Sequence, residues 1–141
     1  MAKKKLIGLV EFVIVKGKKG SVKKRALFDT GSTRTSVDVR TAAKAGLGPI
    51  ISSVKVRSSH SPRGYARRAV AEATIIVKGK KIKTGVSIDD RGGLPYSVLI
   101  GRDIIHNNFL IDISRTHTGC RTRDIKDKDE KDRINLMEKY K

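Results

Sequence analysis

Apolar residues recur along this chain in short, β-branched runs broken by glycines and charged turns, a pattern that predicts strands far more often than helices. Leu6 to Val15 reads as a first strand, because Phe12-Val13-Ile14-Val15 continues the run past Glu11. Lys16-Gly17-Lys18-Lys19-Gly20 closes a hairpin, and Val22 to Phe28 returns from it. Val54 to Arg57 and Ala69 to Val77 predict two more strands around Ser58 to Gly64, a polar stretch suited to a mobile hairpin tip. A tight turn at Lys78-Gly79-Lys80-Lys81 leads into Ile82 to Ile88. After the loop Asp89 to Gly93, the apolar run Val98-Leu99-Ile100 ends at Gly101, and Phe109 to Ile113 alternates as a last strand.

Helical signals are few. Asp38 is an N-cap candidate before Val39-Arg40-Thr41-Ala42-Ala43-Lys44-Ala45, and Gly46 is a stop. Arg102 to Asn107 can start a second short helix. The expected architecture is all-β, a barrel of short antiparallel strands with one or two brief helices, in one domain over residues 1–118. Residues 119–141 carry mixed charge without an apolar face, the mark of a solvated tail or a marginal helix. Strand edges left open in a domain of this size favour pairing with a second copy.

Composition narrows the classes. The 141 residues hold 32 Lys and Arg against 14 Asp and Glu, a formal charge of +18. That balance points toward anionic partners. The absence of Trp, with three Tyr and three Phe, leaves little on which bases could stack, and the cations are spread along the chain, so nucleic-acid binding is the weaker reading. The lone Cys120 cannot close an internal disulfide, which favours a reducing, cytoplasmic setting. Lys3-Lys4-Lys5 before Leu6-Ile7-Gly8-Leu9-Val10 imitates an export signal, but Glu11 interrupts it and no small-residue cleavage site follows. No apolar stretch is long enough for a membrane helix. Glutamine is absent and asparagine rare, a bias of proteins from thermophiles. His60, His106 and His117 lie far apart, and even with Cys120 they lack a fourth ligand and close spacing, so no metal or other cofactor is expected.

The candidate chemistry sits in Ala26-Leu27-Phe28-Asp29-Thr30-Gly31-Ser32, where an apolar strand delivers one carboxylate onto a glycine turn. A single Asp before glycine is commonly just a turn carboxylate capping local amides. Here a second apolar run, Val98-Leu99-Ile100-Gly101-Arg102, follows about seventy residues later. The pair of motifs, with a hairpin between them, resembles the retropepsin-like aspartic proteases, in particular their cellular, non-viral members. The resemblance spans roughly Leu6 to Ile113 and implies a closed barrel with a flap hairpin, homodimeric endopeptidase activity on peptide substrates, and Asp29 as the catalytic residue. It further implies that Thr30 hydrogen-bonds across the two-fold axis and that Gly31 lets backbone approach the other carboxylate. Ser32 would offer its hydroxyl to the outer oxygen of Asp29, favouring activity at lower pH. Arg63, Gly64 and Tyr65 would form the flap over substrate, while Gly101 and Arg102 would be structural.

The chemistry fits the motif on its own terms. Amide hydrolysis without a metal can use one water held between a carboxylate base and a carboxylic acid. Two carboxyls about 3 Å apart repel by about 5 kcal/mol at an effective dielectric near 20, on the order of four pK units, so they share one proton. Because the chain has one such turn, the second carboxylate must come from another copy. One departure from the viral pattern stands out: the acidic positions that follow the turn, one of which pairs with the late arginine, are here Thr33 and Arg34. Asp38 and Asp103 are the candidate replacements, the alternative being a contact that crosses the dimer differently. The cations Arg57, Arg63, Arg67 and Arg68 form either a solvated strand face or a lure for acidic substrates. The competing functions are an inactive dimer of the same fold that binds peptides or proteins, and a basic nucleic-acid binder.

Overall fold

The computed structural model describes residues 3–58 and 61–115. The tail, Cys120, His117 and His60 lie outside the described residues. Among the described residues nine strands and two short helices follow one another: β1 (Lys5–Gly8), β2 (Val10–Gly17), β3 (Gly20–Phe28), β4 (Ser36–Asp38), α1 (Val39–Ala45), β5 (Ile50–Arg57), β6 (Tyr65–Val77), β7 (Lys80–Asp89), β8 (Val98–Ile100), α2 (Arg102–Ile105) and β9 (Phe109–Asp112).

Seven strands form one sheet in the order β2-β3-β8-β4-β7-β6-β5, and an added β2–β6 pairing closes six of them into a barrel, with β5 outside the ring. Inward-facing residues from every side fill it. Val13, Val15, Phe28, Val37, Ile75, Val77, Val86, Val98 and Ile100 are all essentially solvent-free, each such side chain contributing roughly 1.5–3 kcal/mol by burial. Phe28 meets Phe109 edge-on at 6.1 Å between ring centres, joining the barrel to the small β1–β9 sheet.

Two sequence expectations are corrected. The single strand over Leu6 to Val15 is two, because the chain breaks at Leu9 and β1 leaves the barrel to pair with β9. The pairing is also not antiparallel throughout: β1–β9, β3–β8 and β4–β7 are parallel. Ser36 to Asp38, which carries no apolar run long enough to read as a strand, pairs on both edges because β8 and β7 flank it.

Helix α1 matches its sequence signals at both ends. The Asp38 side chain accepts from the Arg40 N–H, and Gly46 ends the helix in the left-handed region at φ 70°. Asp38 does more than cap: its Oδ1 also accepts from the Arg91 N–H at 2.7 Å and from the Arg40 guanidinium at 2.9 Å. Burial pushes this carboxyl up, but the Arg91 and Arg40 donors outweigh it and hold it below the usual aspartate value. The ionised form therefore adds stability at neutral pH, and that contribution is lost as pH falls from about 4 through the lower folded-state value. Thermal melts from pH 7 to pH 2 should show Asp38→Asn losing less stability on acidification than wild type. Parallel Tm curves for the two proteins would remove this role.

Candidate active site

The β3–β8 pairing builds the site. Ala26, Leu27 and Phe28 run beside Val98, Leu99 and Ile100 in the same direction, so the Asp29 turn and the Gly101 corner emerge side by side at one end of the barrel. The Asp29 N–H donates to the Ile100 carbonyl at 2.8 Å, continuing the ladder to the last residue before the turn. Asp29 is half-buried, and its Oδ1 accepts from the Gly31 N–H at 2.9 Å. That hydrogen bond engages one of the two carboxylate oxygens.

The corner after β8 clamps the turn from below. Arg102 N–H donates to the Ser32 carbonyl at 2.8 Å and Asp103 N–H to the Thr33 carbonyl at 3.3 Å. Gly101 is needed for this approach: a Cβ there would stand 2.7 Å from the Arg34 carbonyl carbon and 2.9 Å from the Ser32 oxygen. Thr35, fully buried, ties the two motifs together. Its hydroxyl accepts from the Gly101 N–H at 3.1 Å and donates to Asp103 Oδ1 at 2.8 Å, while its own N–H reaches both Asp103 oxygens. Sequence reasoning passes over Thr35, because an isolated threonine after a turn carries no signal.

Two expectations about this loop change. Arg102 pairs with neither Asp38 nor Asp103; its guanidinium donates to the Thr33 hydroxyl at 3.0 Å, so a neutral acceptor occupies the place of the missing carboxylate. The Ser32 hydroxyl donates to the Arg34 carbonyl at 3.3 Å rather than to Asp29, because the loop turns back there to enter β4. Thr30 stands exposed beside Asp29.

Strands β5 and β6 form a long hairpin in register from Val54↔Arg68 to Arg57↔Tyr65. Gly64 closes its described tip at φ 78°, where residues with side chains are strained, and its carbonyl accepts from the Ser58 N–H. Arg63 is exposed at this tip, and Tyr65 opens β6 with the Lys55 ammonium 4.2 Å from its ring centre. Between this hairpin and the loop after Asp29 lies a cavity of about 820 Å³, bounded by Gly31, Ser32 and Thr33 on one side and by Val54, Val56 and Arg57 on the other. Its floor holds an ion pair between Arg68 and Asp89, both largely buried, and the half-buried Arg91, whose pKa burial lowers. Among the described residues, no cluster of three His, Cys, Asp or Glu could hold a metal ion. No helix of the described residues is long and apolar enough to cross a membrane.

This geometry is the retropepsin-like fold, that of the single-domain aspartic proteases. The structure is similar to that of EIAV protease complexed with the inhibitor HBY-793, at 20% identity and a TM-score of 0.55, over 73% of this chain and 91% of that one. It is equally similar to a Legionella pneumophila protein of unknown function, at 18% identity and a TM-score of 0.55, over 81% and 97% of the two chains. No curated protein matches the chain. The profile of the RimB-like family, retropepsin-like aspartic endopeptidase RimB, matches residues 33–122, and the chain belongs to that family. The match begins just beyond the Asp29 turn, so the reading of Asp29 rests on its own sequence and geometry.

Proposed function

We propose that the protein is a homodimeric aspartic endopeptidase whose two Asp29 carboxylates, one from each subunit, activate a water molecule. The supporting observation is the placement of Asp29: a half-buried carboxylate on a turn braced by the Gly101 corner, whose loop from Gly31 onward lines a cavity of about 820 Å³ beneath a two-stranded hairpin.

In the dimer the two turns face each other across the two-fold axis, and the carboxyl pair holds one proton between them. An extended peptide enters the cleft and pairs its backbone with strand edges under the hairpins. The ionised Asp29 takes a proton from the water as its oxygen bonds to the peptide carbonyl carbon, while the protonated Asp29 gives its proton to the carbonyl oxygen. The resulting diol collapses as the C–N bond breaks. The Asp29 that took the water's proton gives it to the amine nitrogen, the other Asp29 takes a proton from a diol hydroxyl as the C=O re-forms, and the carboxyl pair is left again with one. Closing of the hairpins, with Gly64 as the pliable tip, would exclude bulk water and strengthen these charges.

The β1–β9 sheet offers a surface for the second copy. Leu6 and Leu110 are register partners and half exposed, and Ile113, just after the end of β9, is 74% exposed. A patch of this kind is best explained by a partner. Dimer-dependent catalysis has a distinctive signature: specific activity on a peptide library, read by mass spectrometry from about pH 3 to pH 7, should fall as the protein is diluted, and Leu110→Asp should lower it at a fixed concentration. Specific activity independent of concentration would sink the shared-site reading.

A further inference from the structure

Cations that are scattered along the chain are gathered on the outer wall of the barrel by the register of four strands. Residues opposite one another in neighbouring strands share a face, and that wall reads across β3, β2, β6 and β7 in adjacent rows. One row is Lys23, Ile14, Ile76 and Lys81, and the next is Ser21, Lys16, Thr74 and Lys83. Arg25 lies opposite Phe12 in the row on the other side. All five of these cations are exposed, while alternate residues such as Val15 and Ile75 point into the core. Strand spacing near 4.8 Å and a rise near 3.3 Å per residue confine the five charges to a patch roughly 14 Å on a side.

Acidic residues are kept off this face. Of the three in these strands, Glu11 is buried and accepts from the Gly8 N–H, Asp89 pairs with Arg68 at the cleft, and Glu72 alone faces outward, 3.6 Å from the Lys83 ammonium. Beside Glu72 a groove of about 380 Å³ is bounded by Lys16, Lys18, Lys81 and Lys83. No residue lines both this groove and the cleft at the Asp29 loop. Like charges in neighbouring rows repel, so the fold gains nothing from the clustering.

Two features point to the partner. Phe12 stands 48% exposed at the edge of the patch, with the Lys23 ammonium 4.9 Å from its ring centre. An aromatic face beside cations serves a stacked base and its phosphate together. Four of the five cations are lysines, point charges that meet phosphates in any register, rather than the arginine forks that fix a carboxylate. We propose that this outer face of the barrel binds single-stranded nucleic acid, its phosphates running over Lys16, Lys23, Lys81 and Lys83 and a base stacking on Phe12. Charge and stacking make the contact indifferent to base sequence. The cleft stays open when the face is occupied.

A fluorescein-labelled single-stranded RNA of about 20 nucleotides and mixed sequence, titrated into the full-length protein by anisotropy at about 0.1 M salt, should bind with a Kd of roughly 1–100 µM. Changing Lys16, Lys23, Lys81 and Lys83 together to Gln should weaken binding at least on the order of tenfold and flatten the slope of log Kd against log salt by about 2 to 3. Phe12→Ser alone should weaken it roughly fivefold with the salt slope unchanged, because stacking releases no ions. A control of equal charge, with Arg34, Lys55, Arg57 and Arg67 changed to Gln at the cleft and hairpin, should bind within about threefold of wild type. Melting temperatures establish that each variant is folded. No binding by the wild type, or equal losses in the two four-residue variants, overturns the proposal. So does an acidic peptide of matched charge that displaces the RNA at equal concentration, since the face would then take protein segments. A duplex bound more tightly than the single strand, or no effect of Phe12→Ser, overturns the single-stranded assignment. Peptide cleavage does not enter the readout, so this proposal and the endopeptidase reading fail separately.

Discussion

Replacing Asp29 by Asn should abolish peptide cleavage while leaving the fold and dimer intact. The substitution is nearly isosteric, and the oxygen of the new amide can still accept from the Gly31 N–H that now reaches Oδ1 at 2.9 Å. What it removes is the proton traffic. An amide can neither take a proton from water nor share one with a second carboxylate, and in the proposed symmetric dimer the change strikes both halves of the pair at once. Loss of positioned acid and base together is worth at least on the order of 10³-fold in kcat. Digests compared at equal dimer concentration, with melting temperatures within a degree or two of each other, make the measurement clean. Residual cleavage at a tenth of the wild-type rate would mean that another group performs the chemistry. Unchanged peptide binding in the variant is expected, and would not by itself distinguish the enzyme from an inactive binder of the same fold.

Gly101→Ala should be the most damaging single-methyl change near the site. The added Cβ has no room: it would sit 2.7 Å from the Arg34 carbonyl carbon and 2.8 Å from its oxygen, both backbone atoms of the loop that carries Asp29. Relief requires the β8 corner and the loop to part. That motion would stretch the Arg102 N–H contact to the Ser32 carbonyl and the Gly101 N–H contact to the buried Thr35 hydroxyl. Overpacking against backbone, with those hydrogen bonds weakened, should cost about 2–3 kcal/mol, or roughly 8–12 °C in Tm for a domain of this size. Activity should fall further than the folded fraction does, since Asp29 is displaced even in molecules that stay folded. A Tm within about 2 °C of wild type would show that the corner and the loop are not in the contact described.

Much of this site is legible in the chain. The Asp29-Thr30-Gly31 turn and the Gly101-Arg102 corner are readable because both depend on residues adjacent in sequence: an apolar run ending at a residue that can turn. Helix α1 is readable for the same reason, with Asp38 and Gly46 marking ends that the structure reproduces. Less legible is who pairs with whom. Arg102 finds Thr33, and Asp103 finds Thr35, across separations of 69 and 68 residues. Residues so far apart carry no local pattern, and several acceptors of the right chemistry compete. Ser32 escapes a sequence reading in its detail because the direction of the loop after it, toward β4, decides which oxygen its hydroxyl meets.

Strand direction follows the same division. Alternation and turn residues mark a strand's existence, and short hairpins announce their own antiparallel pairing, as for β2–β3 and β6–β7. A parallel partner reached only after a long excursion, as β8 is for β3, leaves no such mark. The order of residues alone dictates a strand-rich domain that presents one carboxylate on a glycine turn and carries a glycine corner further along. Closure of the barrel is what lays the corner beside the turn, hands its arginine and aspartate to Thr33 and Thr35, and gathers five cations around the cleft. The difference is one of range: turns and caps are settled by neighbours a few bonds away, whereas partners and pockets are settled by the register in which distant strands close the barrel.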